Sequence, residues 1–250
     1  MIKMNNKNIH PILNEPALFL KDKKILIIAD LHIGIEEGLK DSGVHSGSQT
    51  KKVLNKINKI CKKYKPKEII LLGDIKHNIP SSTYQERKDV KFFLEKIKEF
   101  SKIHIIPGNH DGNIKKICPM DITIHQSEGI IIDDIGLIHG HKWPKKEIFN
   151  VETIIIGHTH PSITLKDRMN IKTNEPCWIK TNFYFDKIKE KYNIENNPEL
   201  IILPAFNPLC GGIPINLDGI LGPFKNIVDI ENSNVFLLDG TLLGKVKNLK

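Results

Sequence analysis

The chain has 250 residues, 40% of them hydrophobic and 26% charged, with a formal net charge of +8; this is enough to bury one sizeable core, and residues 1–250 read as a single domain. No apolar run approaches the roughly 18 residues of a membrane-spanning helix, so no membrane partner is expected. The start "MIKMNNKNIH" lacks the apolar centre of a signal peptide, and Cys61, Cys118, Cys177 and Cys210 are too widely spaced for a zinc knuckle or a disulfide framework, so a cytoplasmic location is expected.

"KILIIA" at 24–29 is continuously apolar, as a strand buried on both faces should be. Residues 48–65 read as a helix, with Val53, Leu54, Ile57, Ile60 and Tyr64 at helical spacing and lysines opposite; Pro66 stops it. "EIILLG" is a second buried strand, residues 84–100 a second amphipathic helix, and "IHIIPGN" a third strand. This β-α-β-α-β order predicts a parallel sheet with helices on its faces.

The later sequence is strand-rich. "GIIIDDIGLIHG" predicts paired strands about Asp133-Asp134, "VETIIIGHTHP" a strand, "CWIKTNFYF" a strand over 177–185, and "NVFLLDGTLLGKV" a hairpin about Asp239-Gly240. The charged stretch 186–199 reads as an exposed insert or a short surface helix.

In open α/β sheets, ligands bind beyond the carboxyl ends of the strands. Here the apolar strands empty, in turn, into Asp30-Leu31-His32, into Asp74 with His77, into Asn109-His110-Asp111, into His139-Gly140-His141 and into His158-Thr159-His160. Each loop alone reads as an ordinary turn. Seven of the 11 histidines lie in them, however, and together they read as one metal site. Carboxylate, amide oxygen and imidazole without thiolate suit Mn, Fe, Co, Ni or Zn. The candidate ligands are too many for one tetrahedral ion. They match two cations sharing a bridging carboxylate about 3.5–4 Å apart, able to activate a water and clamp a phosphoryl group.

"DLH", "GD", "GNHD", "HGH" and "GHTH", in this order between residues 30 and 160, resemble the calcineurin-like metallophosphoesterases. The resemblance implies an α/β fold, a four-layer α/β/β/α sandwich of two mixed β-sheets with a dinuclear metal site at the strand C-terminal ends. By motif, it assigns one cation to Asp30, His32 and His160, the other to Asn109, His139 and His158, and the bridge to Asp74. Manganese is the expected metal, with Ni, Fe, Co and Zn as alternatives. His110 would protonate the leaving oxygen or stabilise the transition state as a metal-bridging hydroxide attacks phosphorus in line. His139 comes first after its strand and is taken as the ligand of "HGH", which leaves His141 behind it or against substrate; Asn109 also borders substrate.

"PALFL", "ADLHIGIEEGL", "GDIKH" and "LPAFNPLCGGIPIN" resemble, more narrowly, archaeal phosphoesterases related to the bacterial ligase-associated DNA-damage-response endonucleases. That implies a phosphodiesterase or nuclease acting on DNA or RNA. Two rivals stand: a hydrolase of small phosphodiesters, nucleotides or phosphomonoesters, and a protein-interaction scaffold with a silent site. Many relatives carry G-D-x-x-D-R, where this chain has His77 and Asn78, so its phosphate clamp differs. His77 is assigned to substrate. Residues 51–67, rich in lysine and free of acid, read either as a solvated face or as a nucleic-acid contact, and the 204–216 loop either as a plain loop or as a wall of the cleft.

Overall fold

The computed structural model describes residues 6–41 and 48–249; the first five residues of the N-terminal stretch considered above lie outside them. Six strands form one sheet in sequence order: β1 (Ile9–Pro11), β2 (Ala17–Leu20), β3 (Ile25–Ile28), β4 (Glu68–Leu71), β5 (Lys102–Ile105) and β6 (Thr123–Ile124). The first three are antiparallel and β3 to β6 run parallel, as the βαβ pattern predicts. The helices on this sheet are α1 (Ile35–Asp41), α2 (Gln49–Tyr64) and α3 (Tyr84–Ile97).

The second sheet takes β7 (Ile130–Ile132), β8 (Ile135–Ile138), β9 (Thr153–Ile156), β10 (Pro161–Lys166), β11 (Lys172–Asn182), β12 (Glu199–Ile202), β13 (Ile213–Pro214), β14 (Asn234–Leu237) and β15 (Leu242–Lys245). Its order is β13-β10-β11-β12-β9-β8-β7, with β14 beside β11 and β15 beside β14. The outer helices are α4 (Phe185–Tyr192) and the single turn α5 (Ile215–Asp218).

Period-2 alternation explains the layering. Ile25, Ile27, Ile70 and Leu72 meet Ile155, Trp178, Ile201 and Leu203 between the sheets. The intervening residues Leu26, Ile28, Ile69 and Leu71 pack instead under Val53, Ile57, Val90 and Phe93 of the helices. On the far side, Ile154, Ile156, Leu200 and Ile202 lie against Ile188, Ile215 and Phe224. This is the four-layer α/β/β/α arrangement. Each such buried side chain contributes about 1.5–3 kcal/mol, so the strands are fixed in register and their ends are fixed with them.

Some boundaries move. The second helix ends at Ile97 rather than near residue 100, because the chain must already turn to pair Lys102 N–H with the Lys67 carbonyl. The strand expected over 177–185 begins at Lys172, where β10 pairs with it, and stops at Asn182. Within the charged stretch, α4 is a real surface helix anchored by buried Ile188.

Candidate metal centre

Parallel β3, β4 and β5 lie side by side, so the loops after them share one edge. Parallel β8 and β9 do the same in the second sheet. The two edges meet: the His158 N–H donates to both oxygens of Asp30, at 3.3 and 3.1 Å. Five candidate ligands sit in the left-handed backbone region, with φ of 58° at Asp30, 41° at His32, 52° at Asp74, 66° at His158 and 47° at His160. Non-glycine residues reach that region at a cost, and such strain gathers where backbone must aim side chains inward.

Asp74 is the hub. Its Oδ2 lies 3.3 Å from His139 Nε2, 3.7 Å from His32 Nε2 and 3.9 Å from His110 Nε2. Its Oδ1 accepts the His110 N–H at 2.9 Å. Asp30 Oδ1 faces His160 Nε2 at 3.2 Å and His139 Nδ1 at 3.8 Å. One ligand atom each from Asp30, His32 and Asp74 falls within 4.8 Å, and the same holds for Asp74, His139 and His158. These are two overlapping sets that share Asp74. The glycines permit this closeness. A Cβ on Gly73, at φ 82°, would fall 2.1 Å from His139 Nδ1, and one on Gly108 would fall 2.2 Å from Asp74 Oδ1.

The donors fit a pair of divalent cations. Nε2 of His32 and His160 is buried without a hydrogen-bond partner. Such orphaned nitrogens are costly unless something fills them. His139 Nδ1 donates to the Leu72 carbonyl at 2.9 Å, so Nε2 is the nitrogen that faces Asp74 and would meet a cation once its proton is lost. Burial holds His32 at about 3 and His158 at about 4, so both imidazoles are neutral and open to a metal. Burial works against a charged His139 too, but the Asp74 hydrogen bond and charge push it up to about 9. At Asp74 itself burial raises the pKa, and the bond and charge of His139 more than offset it, holding the carboxyl well below its ordinary range.

The calcineurin-like phosphoesterase family profile matches residues 23–168. The chain belongs to this family. It is a metal-dependent phosphoesterase, and the profile spans every loop that supplies the cluster. A Pseudomonas putida nuclease, MPE, shares the fold: it is 21% identical, aligned over 93% of this chain and 98% of that one, with a TM-score of 0.59. The Escherichia coli phosphoesterase Yfce is 12% identical over 88% of this chain and 97% of that one, with a TM-score of 0.39.

The remaining residues singled out in the sequence surround this phosphoesterase centre. Asn109 is exposed at the rim, between Gly108 and His110. His110 donates Nδ1–H to the His77 carbonyl, so main chain holds this ring. The His77 ring turns to His32 instead, Nδ1 to Nδ1 at 3.2 Å. His141 stands with its ring 5.3 Å from that of His139, and burial followed by the charges of His139 and His158 holds it at about 4.

Several supporting residues escape a sequence reading. Asp111 is fully buried: Oδ1 accepts from Ile75 N–H at 2.8 Å and Lys76 N–H at 3.3 Å, and Oδ2 from Gly108 N–H at 2.9 Å. It ties the loop of Asp74 to the loop of Asn109, and "GNHD" carried that signal. Buried Glu86, on α3, accepts from His77 N–H at 2.8 Å, from the Asn78 N–H at 2.6 Å and from Asn78 Nδ2 at 3.1 Å. Residues 205–212 form a strap over the first loop: Phe206 N–H bonds the Ala29 carbonyl at 3.0 Å, and Asn207 Nδ2 the Leu31 carbonyl at 2.8 Å. On the same strap, Cys210 Sγ lies within 4.8 Å of ring nitrogens of His32 and His160, and burial, then Asp30 and Asp74, push its thiol up. Between the strap and His160 opens a cavity of about 390 Å³. Residues 205–208, 211 and 212 of the 204–216 loop line this cavity.

Proposed function

We propose that this phosphoesterase hydrolyses phosphodiester bonds of nucleic acid, with Mn²⁺ as its preferred cation. The observation that carries the phosphodiester reading is the clamp position: Asn78 stands where many relatives keep arginine, and its amide is committed to buried Glu86. A phosphomonoester dianion gains most from such a guanidinium, whereas a diester with a single charge needs it least. The lysine-rich face of α2 and the net charge of +8 support a polyanionic substrate, and the similarly folded Pseudomonas putida protein is described as a nuclease.

Asp30, His32 and His160 would hold one cation and Asn109, His139 and His158 the other, with Asp74 shared. The cations would supply Lewis-acid chemistry: charge to draw off the phosphoryl oxygens and to acidify an attacking water. His110, with Nδ1 anchored on the His77 carbonyl, presents Nε2–H to the departing oxygen and delivers its proton there. Asp74 holds the His110 main chain through its N–H, so hub and proton donor keep a fixed spacing. We propose residues 1–250 as one catalytic unit, acting in the cytoplasm.

The test is a panel with Mn²⁺: bis-p-nitrophenyl phosphate, p-nitrophenyl phosphate, and linear single- and double-stranded DNA and RNA, with Asp74→Asn as the contamination control. Diester and polymer cleavage that vanishes in the variant supports the reading. A preference for the monoester, with polymers left intact, overturns it.

A further inference from the structure

We propose that the cavity beside His160 is a subsite for one nucleoside of the scissile diester, so that the bond cut is one whose flanking nucleotide lies out of any base stack. This rests on the phosphodiesterase reading above and adds to it the state of the polymer at the cut.

Three observations carry it. The first is continuity. His160, whose Nε2 faces Asp30 at 3.2 Å, is itself part of the cavity wall, so a substituent on a phosphorus bound beside His160 would have the cavity as its adjoining space. The second is chemistry and size. The volume, about 390 Å³, falls within the roughly 300–1,000 Å³ of small-molecule sites. Pro16, Pro161, Pro176 and Ala205 give apolar walls for the faces of a base, while Asn174, whose Oδ1 takes the Thr164 hydroxyl at 2.6 Å, offers its amide N–H₂ at the edge. A stacked base pair is too large for such a recess; a single nucleoside is not.

The third is charge. Among the described residues the one lysine on the wall, Lys56, is neutralised by Glu15 at 2.7 Å and lies 4.7 Å over the Phe206 ring. A recess with a closed ion pair suits an uncharged group rather than a second phosphate. The recess is also built in advance. The strap is pinned to Ala29 and Leu31, and Ile213 N–H bonds the His160 carbonyl at 2.9 Å. Little ordering remains for the ligand to drive.

The experiment compares kcat/KM, with Mn²⁺, for methyl p-nitrophenyl phosphate and for the thymidine 5′- and 3′-p-nitrophenyl phosphates, in the wild-type protein and in Ala205→Phe, which places a large ring in the recess from its strap wall. The wild type should favour one thymidine ester by about tenfold or more, and Ala205→Phe should erase that preference while the methyl ester rate stays within about twofold. Equal rates on all three esters in the wild type, or an equal loss on all three in the variant, would overturn the subsite and leave the phosphodiesterase reading standing. Hydrolysis of none would overturn the phosphodiesterase reading. The subsite is then judged by thymidine binding in saturation-transfer NMR, where binding lost in Ala205→Phe supports it and absent or unchanged binding sinks it. Asn174→Ala, which is exposed and should fold normally, gives a second arm: it should weaken the thymidine ester alone.

Discussion

The Nδ1 atoms of His77 and His32 lie 3.2 Å apart. One must donate and the other accept. His32 keeps Nε2 unpartnered for the cation, so its Nδ1–H donates and the His77 ring accepts. An imidazole thus orients His32, a proposed metal ligand, in a role more often filled by carboxylate or carbonyl. His77→Ala should weaken cation binding at the His32 side by about 10–100-fold. Mn²⁺ titration followed by EPR would read this, and kcat at saturating Mn²⁺ should change much less. Unaltered Mn²⁺ affinity would remove His77 from this role.

His110 calls for the opposite result. Its ring is tethered by the His77 carbonyl and its Nε2 lies near Asp74, outside the two sets that share that carboxylate although grouped with His32 and His77. His110→Ala should lower kcat by about 10²–10⁴-fold with full metal content retained. The loss should shrink for esters with better leaving groups, which need no proton. Parallel loss of metal would make His110 a ligand instead.

Asp111 should matter most to folding. Three main-chain N–H groups depend on one buried carboxylate. Asp111→Ala strands them and should cost about 2–5 kcal/mol in urea unfolding. Asp111→Asn can keep the Ile75 and Lys76 acceptor, but it turns an amide toward the Gly108 donor. It should therefore fall between alanine and wild type. A metal-free alanine variant as stable as the wild type would show the brace to be dispensable.

The same contrast explains what the sequence discloses. Asp30, Asp74, His139 and His158 are legible because each follows an apolar strand at once, and the strand fixes where the loop must start. Asp111 is half legible: "GNHD" marks it, but its Ile75 and Lys76 partners are brought close by the register of β4 against β5, and Glu86 is opaque because it reaches back from α3 to the His77 and Asn78 loop. Glu86 even stands three residues after Thr83, whose Oγ1 takes its N–H at 3.0 Å, so locally it looks like half of a helix cap. Tertiary packing turns its carboxylate to the His77 and Asn78 loop instead. β1 was hidden for another reason: at 3 residues it is too short for alternation to show.

The basic face of α2 carries a prediction about salt. Lys56 lines the recess, and Lys52, Lys59 and Lys63 lie on the same helical stripe at spacings of three or four. If polymer follows that stripe, KM for DNA should rise steeply with salt, and Lys59→Glu with Lys63→Glu should raise KM and flatten the slope by about two counterions. The thymidine ester, too short to reach them, should be indifferent. A DNA cleavage rate insensitive to salt would leave α2 a solvated face.

The histidines make the stability of the chelated protein depend on pH in two directions. His32 is held at about 3 and His141 and His158 at about 4, chiefly by burial, against 6.5 when unfolded. Below pH 6.5 the unfolded chain takes up protons that the folded chain refuses, so stability falls steadily toward pH 4. His139 is opposite: raised to about 9 by Asp74, it is protonated when folded and neutral when unfolded between 6.5 and 9. Its contribution is complete below 6.5 and lost as pH climbs through 9. The two slopes place the stability maximum of the metal-free protein near pH 6.5, which melts in EDTA across pH 5–9 would locate. Cation binding must also expel the His139 proton, because its Nε2 is the nitrogen aimed at Asp74. Calorimetric titration with Mn²⁺ at pH 7.5, in buffers of differing ionisation enthalpy, should therefore report release of about one proton. A binding enthalpy independent of buffer would mean that His139 is already neutral and that Asp74 does not hold its proton.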